Sequence, residues 1–385
     1  MKKKQYLQLL GVLLLTLGVY GVYTYPVLLE PTTLIGRPDS WGDTGTFYWN
    51  TYVLRENLST GGSLIRTDQV LYPTRISLMG HSNAWLMSLF SLLFSEAAVG
   101  MNLYVLIHFL IAAAGVWVLA RSLRLPFVWT LLIVVFFLFF PTHFQSYAAG
   151  HFNMMSVGFI PWFVWAFLLS VQVTGRRLGI RIRSWKYLGL TALFFALCLL
   201  SDYLPAAFLV FFCLFWYVYY RFSPAWYRLT PGWRVASLLL LFLALHVLTH
   251  MLRFGLNLSD NAATWFQSDI SHYLLPTPGQ QWIYHHWFPD VWNNKTNWPA
   301  NFLGYGVLAL LAYLLLSRRR IPHAAAPWLF VALLVVFFSL PELNFWGKNV
   351  RLNSPTAVLH YIPLLNQNRV PFRLQQIMWL CLGIG

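Results

Sequence analysis

Residues 101–141 read MNLYVLIHFLIAAAGVWVLARSLRLPFVWTLLIVVFFLFFP, two apolar runs separated by a short basic turn. The first run, residues 101–120, contains no Asp, Glu, Lys or Arg. About 20 such residues suffice for a helix to cross a hydrocarbon core of about 30 Å. Arg121 and Arg124 form the turn, and the second run covers residues 127–141. Basic turns between apolar runs are typical of cytoplasmic loops, so this stretch predicts two membrane-spanning helices joined on the cytoplasmic side.

The composition of the whole chain agrees with a membrane protein. Of 385 residues, 58% are hydrophobic and 10% are charged, whereas a soluble globular domain carries about 25% charged residues. The formal charge of +15 comes from basic clusters between apolar runs. This pattern favours a positive-inside topology and argues against a nucleic-acid partner. The three cysteines lie inside apolar runs and indicate neither a disulfide framework nor a metal site.

About ten apolar runs along the chain have the length and composition of membrane spans. They are residues 7–29, 101–120, 127–141, 157–173, 187–203, 205–220, 235–255, 302–317, 328–341 and a last run from residue 376. The sequence Ser201-Asp202-Tyr203-Leu204-Pro205 separates the runs 187–203 and 205–220. Proline lacks the backbone N–H that a helix interior requires, so it breaks the helix here. The predicted fold is all-α, a polytopic transmembrane helical bundle in a single domain, residues 1–385.

The apolar segment 83–98 decides the topology. It is short and contains serines and Glu96, so it is compatible with a span or with a helix along the membrane surface. With an interfacial helix, most of the 26 Lys and Arg lie on the cytoplasmic side, and all 11 Asp and Glu lie outside or at the outer membrane edge. The sequence therefore predicts an interfacial helix, a cytoplasmic N-terminus and three long outer loops, residues 30–100, 256–301 and 342–375.

The first outer loop contains two acidic residues directly after the first span. Asp39 and Asp43 lie four residues apart, beside Gly42 and Gly45. One carboxylate here could act as a general base toward a hydroxyl, and the pair could share a divalent cation such as Mg²⁺ or Mn²⁺. Both could instead cap helices beside a glycine turn. No further metal-binding set is predicted.

Other polar candidates lie near the outer ends of predicted spans. Arg369 and Arg373 are four residues apart, so one helical turn could direct both guanidinium groups to a phosphate or to lipid headgroups. His151 and Asn153 follow the third span and could contact a substrate or serve only the loop. Asp202 is an acid at the membrane edge, which is costly and points to function, with an interhelical hydrogen bond as the alternative.

Five short motifs follow one another along the chain. They are Gly42-Asp43 with Trp49-Asn50, Tyr72-Pro73, Gly150-His151-Phe152-Asn153, Tyr273-Leu274-Leu275-Pro276 and Arg369-Val370-Pro371-Phe372-Arg373. In this order they resemble the GT-C class of membrane glycosyltransferases, and in particular its bacterial multi-span members. That resemblance implies a polyprenyl-phosphate-linked sugar donor and an essential carboxylate in the first outer loop. Such relatives continue with further spans, so we expect a truncated C-terminus or a partner membrane subunit at the last span.

The leading functional hypothesis is a glycosyltransferase of the inner (cytoplasmic) membrane that acts on the extracytoplasmic face. Asp43 is the predicted base on the acceptor hydroxyl, with Asp39 beside it. The predicted substrate-binding residues are Arg369 and Arg373 for the donor phosphate, together with His151, Asn153 and Asp202. The alternative is a non-catalytic GT-C-like structural subunit of a larger membrane complex. A transporter is disfavoured because the sequence lacks repeats and paired broken helices at mid-membrane.

Overall fold

The computed structural model describes most of the N-terminal half of the chain and separate segments of the remainder. The described residues are 3–25, 27–32, 44–71, 74–78, 84–148, 150–174, 179–228, 236–237, 240, 243–244, 247–248, 251, 270–274, 302–316, 322–340, 342–345, 348–353 and 374–385. The chain divides into two compact units. Unit 1 is Met1–Gln172 with Ile180–Phe211, and unit 2 is Val173–Gly179 with Phe212–Gly385.

The described residues are mostly helical. The helices of the first half are α1 Lys3–Tyr23, α2 Thr44–Thr60, α3 Trp85–Ser91, α4 Ala97–Ser122, α5 Phe127–Leu138, α6 Pro141–Ala148, a 3₁₀ helix Phe152–Met155, α7 Ile160–Ser170 and α8 Trp185–Ser201. Those that follow are α9 Tyr203–Arg228, α10 Ser271–Leu274, α11 Tyr305–Leu316, α12 Ala326–Phe338 and α13 Gln375–Ile384.

Three of the described helices are long and apolar enough to cross a membrane, judged by length and composition. They are Lys3–Tyr23, Ala97–Ser122 and Tyr203–Ser223. Shorter apolar helices occupy five more of the predicted runs: Phe127–His143, Ile160–Ser170, Trp185–Ser201, Ala326–Phe338 and Gln375–Ile384. The prediction of a helical membrane protein is confirmed as far as the length and composition of these helices go. The count of ten spans stays a prediction. The run 235–255 lies largely outside the described residues.

Segment 83–98 contains a helix that is too short to cross a membrane. Helix α3 has seven residues, which corresponds to about 10 Å at 1.5 Å per residue. The helix is shorter than the predicted 83–98, because a turn over residues 92–96 separates it from α4. The Arg55 guanidinium stabilises this turn by donating to the carbonyl oxygens of Phe94 (2.7 Å) and Ser95 (3.0 Å).

Short β-hairpins are the main feature that the all-α prediction missed. The strands are β1 Arg66–Leu71 with β2 Thr74–Ser77, β3 Val171–Thr174 with β4 Gly179–Ile182, and β5 Glu342–Phe345 with β6 Lys348–Asn353. Each strand has four to six residues. Five of the six described strands lie in loops between the predicted apolar runs, where no strand-like alternation extends far enough to predict them. The sixth, β3, begins at Val171 inside the predicted run 157–173, so that run is wrong at its end, because helix α7 stops at Ser170.

The first hairpin belongs to a small subdomain built from residues of the predicted first outer loop. Its core is formed by the buried Val53 and Leu54 of α2 with Leu78 at the end of β2. Trp85 of α3 packs against this core and donates its indole N–H to the Leu64 carbonyl oxygen (3.0 Å). The described part of the loop between the first two long helices is therefore folded, and it holds α2 against α3.

The predicted helix break at Asp202 is confirmed. Helix α8 ends at Ser201, and α9 begins at Tyr203. Asp202 itself has an extended backbone (φ −164°, ψ 133°). The local reason is that Pro205 fits the first turn of a helix, where no backbone donor is needed, but not a helix interior.

Unit 2 contains a polar contact between segments distant in sequence. The hydroxyl groups of Tyr273 and Ser339 form a hydrogen bond, and the Gln375 amide donates to the Tyr273 hydroxyl (3.5 Å). Helix α12 packs against α13, where Gly385 lies beside Leu329. Tyr273, the first residue of the Tyr-Leu-Leu-Pro motif, thus supplies a side chain that links α10 with the end of α12 and with α13.

Candidate functional site

Asp202 is fully buried at the junction of α8 and α9. Its Oδ1 accepts the backbone N–H of Leu204 (2.8 Å), the second residue of α9. This is the hydrogen bond that an aspartate forms as the N-cap of a helix. Its Oδ2 accepts the Asn153 amide Nδ2 (2.9 Å). Two of the predicted substrate-binding residues are therefore brought into direct contact, although 49 positions separate them.

The surroundings of this pair are polar and buried. We call the residues Tyr104, Asn153, Ser156, Ser201 and Asp202 the Asp202 cluster. The Tyr104 hydroxyl lies next to the hydroxyls of Ser156 and Ser201 but reaches hydrogen-bond geometry with neither. Ser201 instead donates to the Leu197 carbonyl oxygen (2.7 Å).

Three atoms of the Asp202 cluster are buried without a hydrogen-bond partner among the described residues. They are the Tyr104 hydroxyl, Asn153 Oδ1 and Ser156 Oγ. Leaving one such group unsatisfied costs about 1–3 kcal/mol. Several in one place call for an explanation such as a bound water, ion or ligand. The cluster is therefore the strongest candidate for a functional site in the part of the chain that the structure describes.

A buried histidine supports the cluster from the adjacent turn of α4. His108 Nδ1 accepts the backbone N–H of Gly158 (3.1 Å), so the proton of the neutral ring is on Nε2. Its ring packs on Tyr104, with 4.3 Å between the ring centroids. A Cβ on Gly158 would lie 2.8 Å from His108 Nδ1, so this approach requires glycine.

Tyr104, His108 and Ser156 were not among the site residues predicted from the sequence. A polar signal was present for His108, because a histidine inside an otherwise apolar span is costly and tends to be functional. Tyr104 and Ser156 gave no such signal, since tyrosine and serine are common near span ends. Their relevance depends on their position beside Asp202.

The beginning of α2 contacts the segment that leads to Asn153. Thr44 Oγ1 donates to the Gly150 carbonyl oxygen (3.3 Å), and Gly150 has a positive φ of 71°. A Cβ on Gly150 would overlap Thr44 Oγ1. Three residues into α2, Phe47 makes an edge contact with Phe152 (6.5 Å between centroids). The glycine of the Gly-His-Phe-Asn motif thus allows this close approach.

His151 is half-buried, and its backbone closes the turn before the 3₁₀ helix. Its N–H donates to the Ser146 carbonyl oxygen (2.8 Å), and its own carbonyl oxygen accepts the Met154 N–H (3.0 Å). The four other predicted site residues, Asp39, Asp43, Arg369 and Arg373, lie outside the described residues. Where the chain is described, no group of three or more His, Cys, Asp or Glu is arranged to hold a metal ion.

Comparison with known proteins places the chain in one family. A family model described as a domain of unknown function, DUF6311, matches residues 13–365, so the chain belongs to this family. The matched residues include the whole Asp202 cluster. No curated protein and no solved structure matches the chain. The description of the family names no activity and no ligand.

Proposed function

We propose that the chain is a membrane glycosyltransferase with GT-C-like architecture, which transfers a sugar from a polyprenyl-phosphate donor to an acceptor. The observation that carries this proposal is the Asp202 cluster. Its unpartnered groups are one carbonyl oxygen (Asn153) and two hydroxyls (Tyr104 and Ser156), next to a carboxylate. A sugar hydroxyl both donates and accepts hydrogen bonds, so it can satisfy such a set without bringing in a charge.

In this proposal Asp43 is the general base. It removes the proton of the acceptor hydroxyl, the acceptor oxygen bonds to the anomeric carbon, and the bond from that carbon to the polyprenyl phosphate breaks. The phosphate leaves as an anion beside Arg369 and Arg373, and Asp39 assists Asp43 or shares a divalent cation with it. Support comes from Thr44, the residue after Asp43 in the chain, which contacts Gly150 of the segment leading to Asn153.

The proposal includes a topology of about ten spans in the inner membrane. The N-terminus is cytoplasmic, and the reaction occurs on the extracytoplasmic face. Support comes from the length of α3, whose seven residues are too few to cross a membrane. With α3 on the outer surface, α4 is the second span, and the basic loop after it, with Arg121 and Arg124, is cytoplasmic.

The test of the activity compares two aspartates of the same outer loop. Asp43→Asn keeps the size and hydrogen bonding of the side chain but removes the proton acceptor, so we expect transfer to fall by about 10²–10⁴. Loss of a helix cap alone would cost about 1 kcal/mol of stability and leave turnover intact. The measurement is sugar transfer from polyprenyl-phosphate sugars by the purified protein in liposomes.

The matched control is Asp68→Asn, in strand β1, which should leave transfer unchanged. Full transfer by Asp43→Asn would show that Asp43 is not the base. If the unmodified, folded chain transfers no sugar from any donor tested, the proposal fails. The chain is then better explained as a non-catalytic subunit of a membrane complex.

A further inference from the structure

His143 of α6 has one ring nitrogen engaged and the other without a partner. Its Nδ1 lies 2.8 Å from the Leu138 carbonyl oxygen, and a carbonyl only accepts, so Nδ1 carries the proton. The ring is 1% exposed and surrounded by aromatic side chains, which disfavours its charged form. The neutral ring leaves a lone pair on Nε2, and Nε2 has no hydrogen-bond partner within the described chain.

Tyr147 presents a second polar group on the same face of α6. It follows His143 by four residues, which is one helical turn. Its hydroxyl is also buried and lacks a partner in the described part of the chain. Burial raises the pKa of Tyr147 above its usual value, so the hydroxyl stays protonated. The ring is positioned by aromatic contacts with Tyr23 (6.2 Å) and Phe152 (5.7 Å) rather than by its hydroxyl.

The walls around this pair are aromatic. Phe140 and Phe109 lie 4.0 Å and 5.8 Å from the His143 ring, measured between centroids. Aromatic walls with a few convergent polar groups are the usual lining of a small-molecule site. Phe152, which contacts the Tyr147 ring, directly precedes Asn153 of the Asp202 cluster.

We propose that His143 and Tyr147 form a second subsite, which binds a neutral hydroxyl group of the substrate, with His143 Nε2 as the hydrogen-bond acceptor. The Nε2 lone pair requires a donor, which a hydroxyl supplies, and the Tyr147 hydroxyl one helical turn away can donate to or accept from the same bound group. An anion would be repelled by the Nε2 lone pair, and a metal ion would need further ligands. This proposal rests on the proposed function for the source of the hydroxyl, either the donor sugar or the acceptor.

The first experiment needs no substrate. Tyr147→Phe keeps the ring contacts and removes a buried hydroxyl that has no partner among the described residues, so the Tm of the purified protein should stay equal or rise by about 2–4 °C. The control is Tyr273→Phe, which removes a hydroxyl bonded to Ser339 and Gln375 and should lower the Tm. A fall in Tm for Tyr147→Phe as large as for Tyr273→Phe would mean a structural partner or a buried water, and would overturn the subsite.

The second experiment separates the two nitrogens of His143 in the transfer assay. His143→Asn places an amide N–H near the position of Nδ1, where it can still donate to Leu138, but leaves nothing at Nε2. His143→Gln reaches the position of Nε2 and gives up the bond to Leu138. We expect KM for one substrate to rise about tenfold in His143→Asn and to recover partly in His143→Gln.

The substrate whose KM changes identifies the hydroxyl. A rise for the polyprenyl-phosphate sugar assigns it to the donor, and a rise for the acceptor assigns it to the acceptor. Unchanged KM for both substrates in His143→Asn would overturn the subsite. If the unmodified chain transfers no sugar, the proposed function fails, and the Tm comparison of Tyr147→Phe with Tyr273→Phe still tests whether the Tyr147 hydroxyl has a structural partner, the outcome that would overturn the subsite.

Discussion

At the residue scale, the Asp202 carboxylate uses both of its oxygens. Oδ1 caps helix α9 through the Leu204 N–H, and Oδ2 holds the Asn153 amide. The capping bond fixes the carboxylate in place, and the carboxylate in turn orients the Asn153 amide. The fixed Asn153 amide then presents Oδ1, which is one of the three unpartnered atoms of the cluster.

Two substitutions of Asp202 separate its hydrogen bonds from its charge. Asp202→Ala removes both bonds, so we expect a loss of about 2 kcal/mol of stability. Asp202→Asn keeps an oxygen for the Leu204 N–H and an amide for Asn153, whose own amide can turn to present Oδ1. The loss of stability in Asp202→Asn should therefore be less than half of that in Asp202→Ala. Thermal unfolding of both variants in one detergent measures this, and equal losses would show that the negative charge itself stabilises the fold.

At the scale of elements, the close approach of α3 and α4 depends on a glycine. Gly100, in the first turn of α4, faces the end of α3, where a Cβ would lie 2.6 Å from the Ser91 Cα. Backbone atoms cannot move aside as the end of a side chain can. This contact holds the short helix α3 against α4 and thereby fixes the small subdomain formed by α2, α3 and the first hairpin.

We therefore expect Gly100→Ala to destabilise the protein by about 1–3 kcal/mol, as overpacking does. The matched control is Gly189→Ala in α8, where a Cβ meets nothing within 4 Å. There the gain in helix propensity should stabilise by about 0.5–1 kcal/mol. Tm values of the two variants should thus move in opposite directions. A Tm for Gly100→Ala equal to that of the unmodified protein would contradict the close contact of α3 with α4.

At the scale of the whole molecule, the proposed topology has a direct readout. Ser63 lies in the exposed loop between α2 and β1, and Gly179 begins β4 in a basic loop. In a background without the native cysteines, a cysteine at Ser63 should react with a membrane-impermeant maleimide in intact cells. A cysteine at Gly179 should react only after permeabilisation. Labelling of Gly179 without Ser63 in intact cells would reverse the topology.

The sequence by itself determined the features that depend on short windows of residues. The membrane class, the helix break at Asp202 and the short apolar segment that holds α3 all follow from local composition, charge and proline chemistry. A long run of uncharged apolar residues favours a membrane-spanning helix whatever it packs against, so these predictions needed no tertiary contacts. The exact end of α3 did need one, because the Arg55 bonds that stabilise the following turn cross about 40 positions.

The tertiary structure decided which polar residues meet. Asn153 and Asp202 were candidates by sequence, but their hydrogen bond spans 49 positions and depends on how α4, α8 and the 3₁₀ helix pack. Tyr104, Ser156, His143 and Tyr147 are ordinary residues in the sequence. They became candidates because packing buries their polar atoms without a hydrogen-bond partner among the described residues. The cost of such burial depends on the surroundings of each atom, and those surroundings exist only once the chain has folded.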